Sequence, residues 1–107
     1  MANVTLLHNG FSGQSIPPDG TQFFTLGPAD VFRDGGAITV TAIPRQGTPG
    51  ANLFMEVVQM AVRHAPQTFA VPNYLLDIVV RNNSHENDPE NASTITGFDV
   101  YTSVVTG

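Results

Sequence analysis

A chain of 107 residues with 41% hydrophobic content can form one domain around one core without covalent staples. Only 12% of its residues are charged, the formal net charge is −5, and it contains neither cysteine nor lysine. Disulfides, thiolate metal sites, cysteine nucleophiles, Schiff-base lysines and GxxxxGK[ST] phosphate loops are therefore excluded, and nucleic-acid binding loses its main source of affinity.

The chain shows no apolar run long enough to span a bilayer, and MANVTLLHNG lacks the basic start and long apolar stretch of a secretory signal. The expectation is a cytoplasmic protein, or one exported without a cleaved leader. Short runs rich in Val, Ile, Thr and Phe, separated by Gly, Pro, Asn and Asp clusters, predict an all-β domain. ANVTLLH alternates, with Val4 and Leu6 on one face and Asn3 and Thr5 on the other. IPPDG is a turn in which proline fixes φ and Gly20 is free to take positive φ. TQFFTL follows as a strand, and GPADVFRDGG as a loop with a short extended piece at Val31 and Phe32. AITVTAI sets Ile38, Val40 and Ala42 against Thr39 and Thr41, and PRQGTPG breaks the chain.

NLFMEVVQMAVRH admits two readings. Its polar positions Asn52, Glu56, Gln59 and Arg63 recur at helical spacing, with Asn52 placed to cap and Pro66 to stop a helix. Three valines and a phenylalanine favour a strand, and one β-bulge between Glu56 and Gln59 would absorb the phase change. Strand-like neighbours on both sides favour the strand.

AVPNYLLDIVVRN gives a strand with Tyr74, Leu76, Ile78 and Val80 on one face and Leu75, Asp77, Val79 and Arg81 on the other. In STITGFDVYTSVV, Phe98, Val100 and Val104 face inward while Asp99, Tyr101 and Ser103 face outward. These two strands read as an antiparallel hairpin. One register would set Asp77 opposite Asp99, a repulsive pair that needs a cation, an arginine such as Arg81, or a raised pKa. A register two residues off separates them. About seven strands at this spacing imply a two-sheet antiparallel β-sandwich, Ig-like or jelly-roll-like, as a single domain over residues 1–107.

The pair LLDIVVRNNS and TITGFDVYTSVV resembles the closing strands of small Ig-like or fibronectin-like bacterial β-sandwich modules, in which a V-x-N-x strand end leads through a polar loop into the final strand. The resemblance implies a fold used mostly for binding and assembly. The chain is also similar to the calcium-dependent galactose-binding bacterial lectins, short cysteine-free sandwiches with an Asn/Asp-rich calcium loop before the last strand. That likeness implies a metal set of Asn83, Asp88 and Asn91.

Catalytic motifs are incomplete. Gly10 and Ser12 begin G-x-S-x-G but Gln14 ends it, and His85-Glu86 begins H-E-x-x-H but Pro89 stands at the second histidine. The chain is expected not to be an enzyme. Asn-x-Ser/Thr triplets at Asn3, Asn82 and Asn91 read as chance in so Asn- and Thr-rich a chain. The loop RNNSHENDPENAST gathers Glu86, Asp88 and Glu90 into one segment, the best oxygen-ligand cluster in the chain, and calcium is the cation its chemistry fits. It lacks the EF-hand glycine and pattern, and the same acids would serve a plain solvated loop that keeps a sheet edge soluble. Phe23, Phe24, Phe54, Phe69 and Phe98 read as core, and Tyr101 as an outward aromatic for a sugar or a partner.

Two functions follow. One is a non-catalytic, lectin-like binding module for carbohydrate, with a cation-assisted loop and ligand contacts from Asn83, Glu86, Asp88, Glu90, Asn91, Asp99 and Tyr101. The other is an assembly subunit, a homo-oligomer or fibre built through strand faces, which low charge and the apolar Leu75, Val79, Ile95 and Val105 favour.

Overall fold

The computed structural model describes residues 3–65, 73–85 and 92–106. Six strands, β1 (Asn3–Phe11), β2 (Thr21–Leu26), β3 (Gly35–Gly47), β4 (Met55–Ala65), β5 (Asn73–Asn82) and β6 (Ile95–Thr106), are joined by a one-turn helix α1 (Val31–Asp34). They form two antiparallel sheets of three, a first sheet ordered β1-β6-β3 and a second ordered β2-β5-β4. The expected all-β sandwich is the fold. Among the described residues no helix is long and apolar enough to cross a membrane.

The two central strands carry the core. Leu76, Ile78 and Val80 of β5 meet Phe98, Val100 and Val104 of β6, and none of the six is exposed to solvent. Phe11, Phe24 and Phe98 lock the sheets together, with ring centroids 4.7, 5.0 and 5.2 Å apart. Such offset and edge contacts add to the area the rings bury. The body measures 51 × 34 × 19 Å, and its radius of gyration of 15.8 Å exceeds the ~13 Å usual for a compact domain of this length. It is a thin slab of two layers.

Residues 55–65 are the bulged strand. The register of β4 on β5 slips between Val57 and Gln59, so Val58 is the extra residue that re-phases the polar positions. The alternations of β3, β5 and most of β6 also stand as read from the sequence.

Other expectations are corrected. The last two strands are not a hairpin: β5 lies in the second sheet and β6 in the first, each flanked by a strand on both sides. Two strands that both carry a mostly apolar inner face are better buried as the centres of opposite sheets than as neighbours in one. Asp77 and Asp99 therefore never oppose one another; Asp77 lies across from Thr25 and Ala61, and Asp99 across from Gly10 and Ile43. Val31 and Phe32 lie in a helical turn, with Phe32 N–H donating to Ala29 and Arg33 N–H to Asp30. Asp30 is the kind of residue that precedes a helix. In the IPPDG turn it is Asp19 that takes positive φ (61°), while Gly20 is required because a Cβ there would lie 2.8 Å from the Pro17 oxygen.

Phe23 and Phe24 cannot both be core, since consecutive strand residues point to opposite faces. Phe24 packs on the core and Phe23 is 59% exposed, as is Phe54 at 45%. Phe69 lies outside the described residues. Ile95 is fully buried and bridges to Ile16. Register slips in β3 around Gln46 change the phase of β6 between Ile95 and Phe98. In β1 the face of Val4 and Leu6 is the outer one, because Phe11 is paired with Phe98 inside and fixes the phase of the whole strand.

Candidate functional site

The acidic loop is anchored at both ends by one buried polar network. Asn82, at the end of β5, is fully buried and donates from Nδ2 to the carbonyl oxygens of Ile16 (2.9 Å) and Ser93 (2.7 Å). Its Oδ1 accepts from the Ser84 N–H (3.0 Å) and hydroxyl (2.8 Å), and the Ser84 and Ser93 hydroxyls meet at 3.2 Å. The amide thus uses all its capacity, which is what a buried side chain of this kind requires. Buried in this way, Asn82 offers no glycan acceptor in the folded chain. Just outside the network Asp19 meets Arg81 Nη2 at 3.2 Å and His85 Nδ1 at 3.1 Å.

Of the proposed loop ligands, Asn83 is half-buried and its N–H donates to the Phe54 oxygen at 2.9 Å. Glu86, Asp88, Glu90 and Asn91 lie outside the described residues, so only Asn83 of the metal set Asn83, Asp88 and Asn91 is described. Among the described residues no group of three or more His, Cys, Asp or Glu side chains is placed to hold a metal ion.

Asp99 and Tyr101 belong to a different neighbourhood, the outer face of the first sheet. Asp99 Oδ1 accepts from Arg45 Nη1 at 2.9 Å and lies 3.0 Å from His8 Nε2. Arg45 also donates to the Phe11 oxygen at 3.2 Å, and the His8 ring stacks on Tyr101 at 4.8 Å. Beyond Asp99 and Arg45 the face runs in cross-strand rows, the first of which belongs to this cluster. His8, Tyr101 and Thr41 form one, Leu6, Ser103 and Thr39 the next, and Val4, Val105 and Ala37 the last. None of these residues is an acid, lysine or arginine. Leu6 is 77% exposed, Val4 61% and Tyr101 47%.

The outer face of the second sheet is differently built. Asp77 accepts from Arg63 Nε at 2.9 Å, Arg63 Nη2 at 3.3 Å and Thr25 Oγ1 at 2.9 Å. The Arg63 guanidinium holds the Asp77 carboxyl below the usual carboxylate range, and the Thr25 hydroxyl adds to this against the cost of partial burial. The repulsion that would have called for Arg81 does not arise, since Asp77 and Asp99 lie in different sheets, and Arg81 meets Asp19 instead.

The sandwich is open along one side, where the edge strands β3 and β4 face each other. A shallow cleft of mixed character and about 320 Å³ lies there, lined by Ile38, Thr39 and Val40 from one sheet and Val57, Gln59 and Met60 from the other. Met60 and Val62 pair with Ile78 and Leu76, so they are on the inner face of their sheet, yet they are 41% and 44% exposed. No single segment foretells this cleft or the uncharged rows. Each arises when residues far apart in sequence are brought side by side by β6 or β5. The visible signal was the scarcity of charge in β1, β3 and β6 taken together.

No family model, curated protein or solved structure matches this chain.

Proposed function

We propose that the chain is a non-catalytic assembly subunit that associates through the outer face of its β1-β6-β3 sheet. The observation that carries this reading is the run of three successive rows without a formal charge, with Val4 and Leu6 the most exposed large apolar side chains of the sheet. Exposed apolar side chains grouped on a surface, as Val4, Leu6 and Val105 are here, mark contact sites. Burying a side chain such as leucine or valine fully is worth roughly 1.5–3 kcal/mol. Sedimentation tests it. The wild type is a concentration-dependent oligomer at micromolar concentration, and Leu6→Glu yields a smaller species with an unchanged circular dichroism spectrum. A monomeric wild type, or a variant that assembles as before, overturns the reading.

A carbohydrate-binding reading has support on the same face. Tyr101 is exposed beside His8, Asp99 and Arg45, an aromatic surface with hydrogen-bonding groups at its margin. The calcium part of that reading rests on the sequence of the loop. A glycan array with and without calcium, repeated with Tyr101→Ala, tests both parts. Glycan binding lost in the variant supports the reading, and an empty array ends it.

A further inference from the structure

Among the described residues no strand pairs with the outer edge of β4, and this edge carries a pattern that its own fold does not use. β4 is an outermost strand, and between Glu56 and Arg63 the run Val57–Val62 contains no charge, no proline and no glycine. Natural sheets blunt such an edge with charge, proline, brevity or a bulge, and between Glu56 and Arg63 β4 has of these only the bulge at Val58. Of the other outermost strands, β2 has only six residues and β3 carries Pro44, Arg45 and register slips at both ends, while β1 has nine residues without an acid, arginine or proline and with Gly10 near its end.

Consider β4 laid antiparallel to β4 of a second copy. Directly opposed residues must share a face. On β4 the inner face holds Met55, Val57, Met60, Val62 and His64, since these oppose Asn82, Val80, Ile78, Leu76 and Tyr74. The outer face holds Glu56, Gln59, Ala61 and Arg63. With Val58 set aside as the bulge, a two-fold axis at Met60 satisfies every position. Met60 faces Met60, Gln59 faces Ala61, Val57 faces Val62, Glu56 faces Arg63 and Met55 faces His64, each pair occurring twice except the first. Shifting the register by one pleat in either direction removes the opposition of Glu56 and Arg63, and the shift that centres on Gln59 also shortens the pairing. One register is therefore face-matched and charge-matched at once.

We propose that a second copy of this chain is the partner of this edge, and that the two join as an antiparallel β4–β4 pair centred on Met60. The resulting sheet, β2-β5-β4-β4-β5-β2, is continuous across the dimer. It brings the two open clefts together and covers Met60 and Val62, whose inner-face positions are unprotected in one copy. The paired segment is about 31 Å long, and the body is 19 Å thick. In projection that is about 600 Å², comparable with the ~800 Å² that each partner of a stable complex buries. The proposal rests on the assembly reading for the chain's being an oligomer at all, and adds an interface separate from the outer face of the first sheet.

The absence of cysteine makes the test direct. Met60→Cys places two thiols opposite one another in the dimer and forms a symmetric disulfide under mild oxidation. Ala61→Cys and Leu6→Cys form none through this interface. Gln59→Cys and Ala61→Cys, each inert alone, cross-link when the two proteins are mixed and allowed to exchange, a check that survives if Met60→Cys folds poorly. An oligomeric wild type with cross-linking at Met60 and in the mixture supports the proposal. An oligomer in which neither cross-links, or in which only Leu6→Cys does, overturns it and leaves the assembly reading standing. A monomeric wild type that never cross-links overturns both.

Discussion

Asn82 donates a hydrogen bond to the carbonyl oxygen of Ser93 at 2.7 Å across the point where the chain passes from one sheet to the other. A single side chain thus joins the last turn of β5 to the approach of β6, and its second Nδ2 hydrogen bond recruits Ile16 from the N-terminal third. Replacing it takes a donor from two buried carbonyls and an acceptor from the Ser84 N–H and hydroxyl. Asn82→Ala is expected to cost about 3 kcal/mol or more, and Asn82→Asp still more, because a carboxylate would face the carbonyl oxygens. Urea denaturation measures this. An unchanged midpoint would show that the network does not hold the sheets.

Acid sensitivity should trace to Asp77. Its folded-state pKa is depressed by Arg63, so its contribution to stability is fully present above the unfolded-state value and is lost as pH falls through the folded one. The window lies below about pH 4. Urea midpoints for the wild type and Asp77→Asn should converge as the solution is acidified through that range. Parallel curves would assign the acid limb to other carboxylates.

The adjacent phenylalanines of β2 should behave as opposites. Phe24→Ala removes a ring in contact with Phe11 and Phe98 and should cost about 3 kcal/mol. Phe23→Ser, on the exposed face, should stay within about 0.5 kcal/mol. Equal losses in thermal or chemical melts would contradict the assigned faces.

Thr102 presents the reverse case. It is 2% exposed, on the inner face of β6, and its Oγ1 has no hydrogen-bond partner among the described residues. Thr102→Val keeps the shape and removes the unpaired hydroxyl, and a gain of about 1 kcal/mol is expected. A loss of stability would reveal a hydroxyl partner.

Much of the fold could be read from the chain because alternation is local. The inner faces of β3 and β5 are written in every second residue, and even the bulge in β4 is legible from the spacing of Glu56 and Gln59. What local pattern cannot convey is which strands become neighbours. The loop between Asn82 and Ile95 looks like a hairpin connection, and only the buried amide of Asn82 and the serines beside it make it a crossing between sheets. The same blindness hid the proposed contact surface. Asp99 and Tyr101 were legible as outward residues, but their partners His8 and Arg45 arrive from β1 and β3. Val4 and Leu6 likewise look like core until Phe11 sets the phase of their strand.

The central placement of β5 and β6 also decides the order in which this protein can come into being. Among the described residues every strand pairing includes one of the two: β1 and β3 join β6, and β2 and β4 join β5. A growing polypeptide therefore holds four strands without any partner until its last third has been made. At roughly 5–20 residues per second of synthesis, β1 waits several seconds or longer for β6. The final strands act as a late template on which the earlier ones are sorted. Through that wait the nascent chain carries unsatisfied β-strands at the ribosome, and protection by chaperones matters most before Ile95 appears.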